Sequence, residues 1–226
     1  MTMLGTLAGI LIFWPYQNYR VFHWQHHRYT QDPARDPELY FRKPTSLGSY
    51  LFALTGIPNF IRRTADILRL ARGRADRPWM APAERPTLIV EARVHLMAYA
   101  LIAMGSVAAG TPVLLLVWIL PLLIGQVFLR PYLLAEHTGC TLTRDCLDNT
   151  RTTLTLALVR LFAWNMPYHA EHHAYPAVPF HALPRLHDHV RGKIANLEPG
   201  YVAATIAVNR FLFRGERTGL EQIAER

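Results

Sequence analysis

The sequence predicts an all-α, integral-membrane protein: a transmembrane helical hairpin beneath a cytoplasmic, histidine-rich helical cap. Three observations predict it. The chain of 226 residues is 51% hydrophobic, yet it carries 24 Lys and Arg against 16 Asp and Glu. Two apolar segments, 94–109 and 112–129, meet at Gly110-Thr111-Pro112. The pattern H-x-x-H-H occurs twice, as His23-Trp24-Gln25-His26-His27 and as His169-Ala170-Glu171-His172-His173.

The length suits one domain, residues 1–226. The charge balance suits a membrane protein with basic flanks, and the arginines, interleaved with acids, form no long stripe for nucleic acid. A soluble helical protein with a large core is the alternative that the hydropathy disfavours. Cys140 and Cys146 lack C-x-x-C spacing and are too few for a disulfide framework, so they read as reduced and structural.

Residues 3–22 read as a helix, apolar and then aromatic, with Pro15 as a kink or break. Its apolar part, 3–16, lacks the charged start and cleavage site of a signal peptide. It is also shorter than the about 20 residues that cross a bilayer. Asp32-Pro33 and Asp36-Pro37 then predict a loop, because the residue before proline avoids the helical region. Residues 47–61 are apolar but broken by Gly56 and Pro58, as in an interfacial or re-entrant helix. The Arg-rich stretch 62–93 belongs in the cytoplasm by the positive-inside rule.

The segments 94–109 and 112–129 are the hairpin, with His95 at its entry read as interfacial and Arg130 closing it on the basic side. Asn149-Thr150-Arg151-Thr152 reads as a polar connector, and 153–164 as a short apolar surface helix. Tyr175 to Pro184 is a proline-punctuated loop, and 190–226 a charged amphipathic tail.

Residues three and four apart share one helix face, so each H-x-x-H-H places three imidazoles together. Neutral imidazoles are ligands for iron, copper, nickel and zinc alike, so the motif points to a transition metal without naming it. A hairpin that leaves the cytoplasm and returns puts both clusters, with His137, on one side of the membrane. Seven of the 11 histidines would then converge. Asp32 and Asp36 are candidates to orient metal-bound rings, with local capping as the equal alternative for each.

From Tyr19 through His187 the sequence resembles the integral-membrane fatty acid desaturases, whose histidine boxes hold a non-haem di-iron centre. The resemblance rests on H-W-Q-H-H-R-Y-T with R-D-P-E-L, on A-E-H, and on N-M-P-Y-H-A-E-H-H with Y-P-x-V-P-F-H-x-L-P-x-L-H. It implies His23, His26 and His27 as the second box and His169, His172 and His173 as the third. It also implies His137 as an additional ligand and Asn165 as a holder of metal-bound water. The family's first box has no counterpart, since none of the 22 residues before His23 is histidine. The chain is therefore expected to lack the family's N-terminal portion.

The implied activity is oxygen-dependent oxidation of a lipid acyl chain, with no catalytic residue beyond the metal centre. The implied partners are iron, O2, an acyl substrate and an electron carrier such as ferredoxin or cytochrome b5. Related lipid or carotenoid hydroxylases and ketolases, and an inactive truncated homologue, are the alternatives.

Overall fold

The computed structural model describes residues 3–215. It is mostly helical, and its residues form two compact units. One comprises the chain up to Gln25 with Leu51–Phe128; the other comprises His26–Tyr50 with the chain from Leu129 onward.

In the first unit, α1 (Met3–Leu11) is separated from α2 (Tyr16–Tyr29) by a break. The predicted single helix over 3–22 therefore divides. Phe13 takes a left-handed φ of 57° there, and Pro15 supplies no amide to continue a ladder. Stacking holds Phe13 in that conformation, with ring centroids 4.8 Å from Tyr99 and 5.1 Å from Trp118. The carbonyls that end α1 are satisfied by side chains: Tyr99 Oη donates to Ile10, Trp118 Nε1 to Leu11, and Arg63 to Ile12.

The apolar stretch 47–61 becomes α3 (Leu47–Leu54) and the start of α4 (Ile57–Ala71), divided at Gly56. The next helix, α5 (Arg85–Ala108), begins well before the predicted apolar segment. Its early residues have partners: Arg93 donates to the Ala71 carbonyl, and the Glu91 carboxylate accepts the Gln17 amide at 2.8 Å beside Tyr16 and Asn18. Glu91 thereby caps the first turn of α2 by accepting an amide that has no partner within the helix. His95, predicted at an interface, is fully buried, and its Nδ1 donates to the Glu91 carbonyl at 2.9 Å. The reason is again packing: a side chain on Gly9 would lie 3.0 Å from His95 Nε2, so glycine there admits the imidazole.

A π-helical stretch, Leu115–Ile119, leads into α6 (Leu120–His137). The helices Arg85–Ala108 and Leu115–His137 are long and apolar enough to cross a membrane. Leu101, Met104, Val107, Leu116, Val117 and Phe128 stand exposed on them, as lipid contact requires.

In the second unit, α7 (Cys146–Asn149) precedes β1 (Arg151–Thr153), α8 (Ala157–Phe162), α9 (His169–Ala174) and α10 (Leu183–Val190). The predicted 153–164 helix thus starts later, because Thr153 belongs to a strand. The region predicted as a featureless tail supplies β2 (Asn196–Glu198) and α11 (Tyr201–Arg214); its last residues, 216–226, lie outside the described ones. The strands pair in parallel, Arg151 with Asn196 and Thr153 with Glu198. Ala170, Val190 and Ile194, with Leu147 and Leu186 against them, form a small core under α9.

Candidate metal centre

Six of the seven predicted ligand histidines lie in the second unit: His26, His27, His137, His169, His172 and His173. His23 lies one turn before His27 on α2 and stacks on Tyr19 at 5.1 Å. Near the C-terminal ends of α2 and α6 and on the short α9, the backbone fixes where the ring-bearing residues stand; hydrogen bonds then fix which nitrogen each ring presents.

The Asp36 carboxylate accepts the amides of Gln31 and Glu38, at 2.8 and 2.9 Å, and the Nδ1 of His26 at 2.9 Å. Thr30 donates its hydroxyl proton to the His26 carbonyl at 2.8 Å, so its oxygen is left to accept from His173 Nδ1 at 3.0 Å. Thr150 likewise donates to Asn149 Oδ1 and accepts from His137 Nδ1 at 3.3 Å. Three independent contacts therefore place the neutral-ring proton on Nδ1 and leave the Nε2 lone pair of His26, His137 and His173 facing inward.

Those lone pairs converge. The ligand atoms of His26, His137 and His173 lie within 4.8 Å of one another, and all three residues are buried. His26 Nε2 and His169 Nε2 each stand 3.1 Å from His137 Nε2, and His173 Nε2 has no hydrogen-bond partner. Lone pairs so close repel unless a cation lies among them. A proton can serve between two rings, and a metal ion can serve several. Nitrogens bound at about 2.0–2.1 Å to one ion, at right-angled or tetrahedral positions, stand about 2.8–3.4 Å apart. The observed 3.1 Å separations fall in that range. His27 stacks on His173 at 4.1 Å, and His172 meets His27 edge to face at 4.6 Å.

The electrostatics differ between the boxes. Burial opposes charge on His26, but Glu38 and Asp36 together outweigh it and raise its pKa above the ordinary histidine value. Burial, and then neighbouring histidines, lower the pKa of His172 and lower that of His173 further. His172 and His173 thus hold neutral rings at neutral pH.

The remaining predicted residues have other positions. Asp32 pairs with Arg35 at 2.6 Å and accepts the Ala34 amide, an exposed local cap. Asn165 adopts a left-handed φ of 57° and donates its amide to the Phe180 carbonyl.

In the supporting set, Arg151 and Thr152 escaped sequence reading, whereas Glu171, lying between ring positions of its motif, is expected from the sequence to make a contact behind the ligands or to be solvated. Arg151, 1% exposed, donates to the carbonyls of Ala135 and Thr138 and so clamps the turn bearing His137. Glu171, fully buried, accepts a hydrogen bond from the Thr152 hydroxyl at 2.5 Å and pairs with His187, which ties α9 to β1 and α10. The available signal was the polar run Asn149-Thr150-Arg151-Thr152 lying between histidine motifs.

The protein-family model described as fatty acid desaturase matches residues 1–205. The chain belongs to the fatty acid desaturase family. Its residues are 28% identical, over 227 aligned positions, to the dihydrorhizobitoxine desaturase of Bradyrhizobium elkanii. The alignment covers 94% of this chain and 63% of that relative, so this desaturase-family chain spans less than two thirds of the relative's length. No solved structure matches it.

Proposed function

We propose that this family member carries out oxygen-dependent oxidation of a lipid acyl chain in a membrane, at a non-haem di-iron centre. His23, His26, His27, His137, His169, His172 and His173 are its proposed ligands. One observation carries the reading: three buried Nε2 lone pairs, on His26, His137 and His173, are oriented towards a common point by Asp36, Thr150 and Thr30. Packing alone gives no reason for that arrangement, whereas imidazole donors of fixed tautomer suit iron.

Bound iron, reduced by a carrier such as ferredoxin or cytochrome b5, would supply the capacity to activate O2 against an unactivated C–H bond. The protein's own contribution is positional. Asp36 holds His26 by Nδ1, Thr30 holds His173, and Arg151 fixes the α6 turn under His137. Burial of these rings keeps bulk water from the reacting atoms. Asp36 is the proposed orienting acid, Asp32 a lesser one, and Asn165 a water-holding residue that must first release Phe180.

The exposed apolar helices offer entry from lipid, and a return of the second span would set the histidines on the cytoplasmic side of a single 1–226 domain. The relative's name favours desaturation over hydroxylation as the outcome. The test is anaerobic Fe(II) loading of the full chain in detergent, beside lipid analysis of an expressing host. Wild type should retain iron and yield new double bonds; His137→Ala should do neither. Full iron retention by His137→Ala would overturn the assignment.

A further inference from the structure

Behind His137, within the second unit, lies a cavity of about 190 Å3. Leu39, Phe41, Leu142 and Phe211 give it apolar walls, while Arg42 and Lys43 add two cations. Gly139, at φ 82°, turns the backbone over Phe211, where a side chain would meet that ring's Cβ at 3.0 Å.

The cations are what need explaining. Lys43 is half-buried, and neither it nor Arg42 has a hydrogen bond or ion pair among the described residues. A desolvated ammonium without a partner is unfavourable, and burial lowers the Lys43 pKa accordingly. The acids nearby do not cancel the charge. Asp36 is committed to His26 and two amides, which leaves Glu38 against two cations. Burial raises the Cys140 pKa, so the thiol in the cavity wall stays neutral.

The size limits the occupant. The volume is below the roughly 300–1,000 Å3 of sites for drug-sized ligands and somewhat above an apolar cavity of about 150 Å3 that takes benzene. We propose that this cavity binds a small organic carboxylate, its carboxylate paired with Lys43 and Arg42 and its apolar stem against Phe41, Leu39 and Phe211.

Gln31 lines the same space and donates to the His137 carbonyl at 2.9 Å, so an occupant bears on the turn that carries this histidine. An acid group on the substrate would be read there. That role rests on the proposed function; binding itself does not.

Fluorine NMR on the full-length, metal-free protein in detergent separates the two, with para-fluorobenzoate as probe and para-fluorobenzyl alcohol as neutral control. Wild type should bind the acid and not the alcohol. Lys43→Met should weaken the acid about tenfold or more, the loss of a charge-assisted bond. Arg42→Gln, at the exposed rim, should weaken it about threefold. Lys43→Arg should restore binding, and Leu39→Trp should block it with both charges kept. Equal binding of acid and alcohol, or unchanged affinity in Lys43→Met, overturns the proposal. Failed iron retention by wild type with benzoate binding intact would instead sink the metal reading alone.

Discussion

On α2 the residues between the first histidine and the pair look outward: Trp24 is 60% exposed and Gln25 half-buried. On α9 their counterparts, Ala170 and Glu171, are both 0% exposed. One spacing thus serves two kinds of support. The 14-residue α2 is held near its ends, by the Glu91 carboxylate at its first turn and by Asp36 on His26 near its last. The six-residue α9 is too short to persist alone and is fixed from every side, through Thr152, His187 and the Val190–Ile194 core. The motif specifies where the rings stand; the opposite face of its helix decides how firmly.

The largest break in this comparison is expected at Glu171. Glu171→Leu leaves His187 and Thr152 without their acceptor and should cost about 3–5 kcal/mol, read from denaturation in detergent. Gln25→Leu at the matching position should stay within about 0.5 kcal/mol. Equal losses would mean the two boxes are supported alike.

Asp36→Asn sharpens the comparison at the cluster on α2. It keeps the shape but weakens the hold on His26 Nδ1, and cobalt titration should show a loss of about 10–100-fold in affinity. Asp32→Asn, in its exposed turn, should leave that titration unchanged.

Glu91→Ala should cost about 0.5–2 kcal/mol, the value of one helix cap, with α9 unaffected by hydrogen exchange.

The smallest effect is in pH. His172 and His173 titrate below the ordinary value of 6.5, so the unfolded chain binds more protons just under it, and stability falls as pH falls through that point. His26 has the opposite sign: its contribution is present below 6.5 and lost as pH rises through its raised value. Below 6.5 the His26 contribution is constant, so the metal-free chain should soften on acidification. His173→Gln should flatten the decline; an unchanged profile would remove His173 from that account.

The helical class and two helices long and apolar enough to cross a membrane were legible because each is written in periodicity or in apolar length. These two helices differ from the sequence expectation mainly at their ends, where Glu91 and Arg93 reach partners and so allow α5 to start early. What sequence could not disclose was the buried polar scaffold. Thr150, Arg151 and Thr152 read as an exposed connector, since polar runs without a partner face water; their partners, Ala135, Thr138 and Glu171, are distant or belong to other elements. The two strands were invisible for a similar reason, because three-residue elements carry no periodic signal. Asp32 and Asp36 looked equivalent, and only the path of the loop separates them.

The parallel pairing of β1 with β2 also sets a timetable. Arg151 finds Asn196 only after the intervening chain has left the ribosome, a few seconds at roughly 5–20 residues per second. Until then α9 lacks the paired strand behind it. Under the proposed metal assignment, the strand that braces this site is complete only once Glu198 has been made.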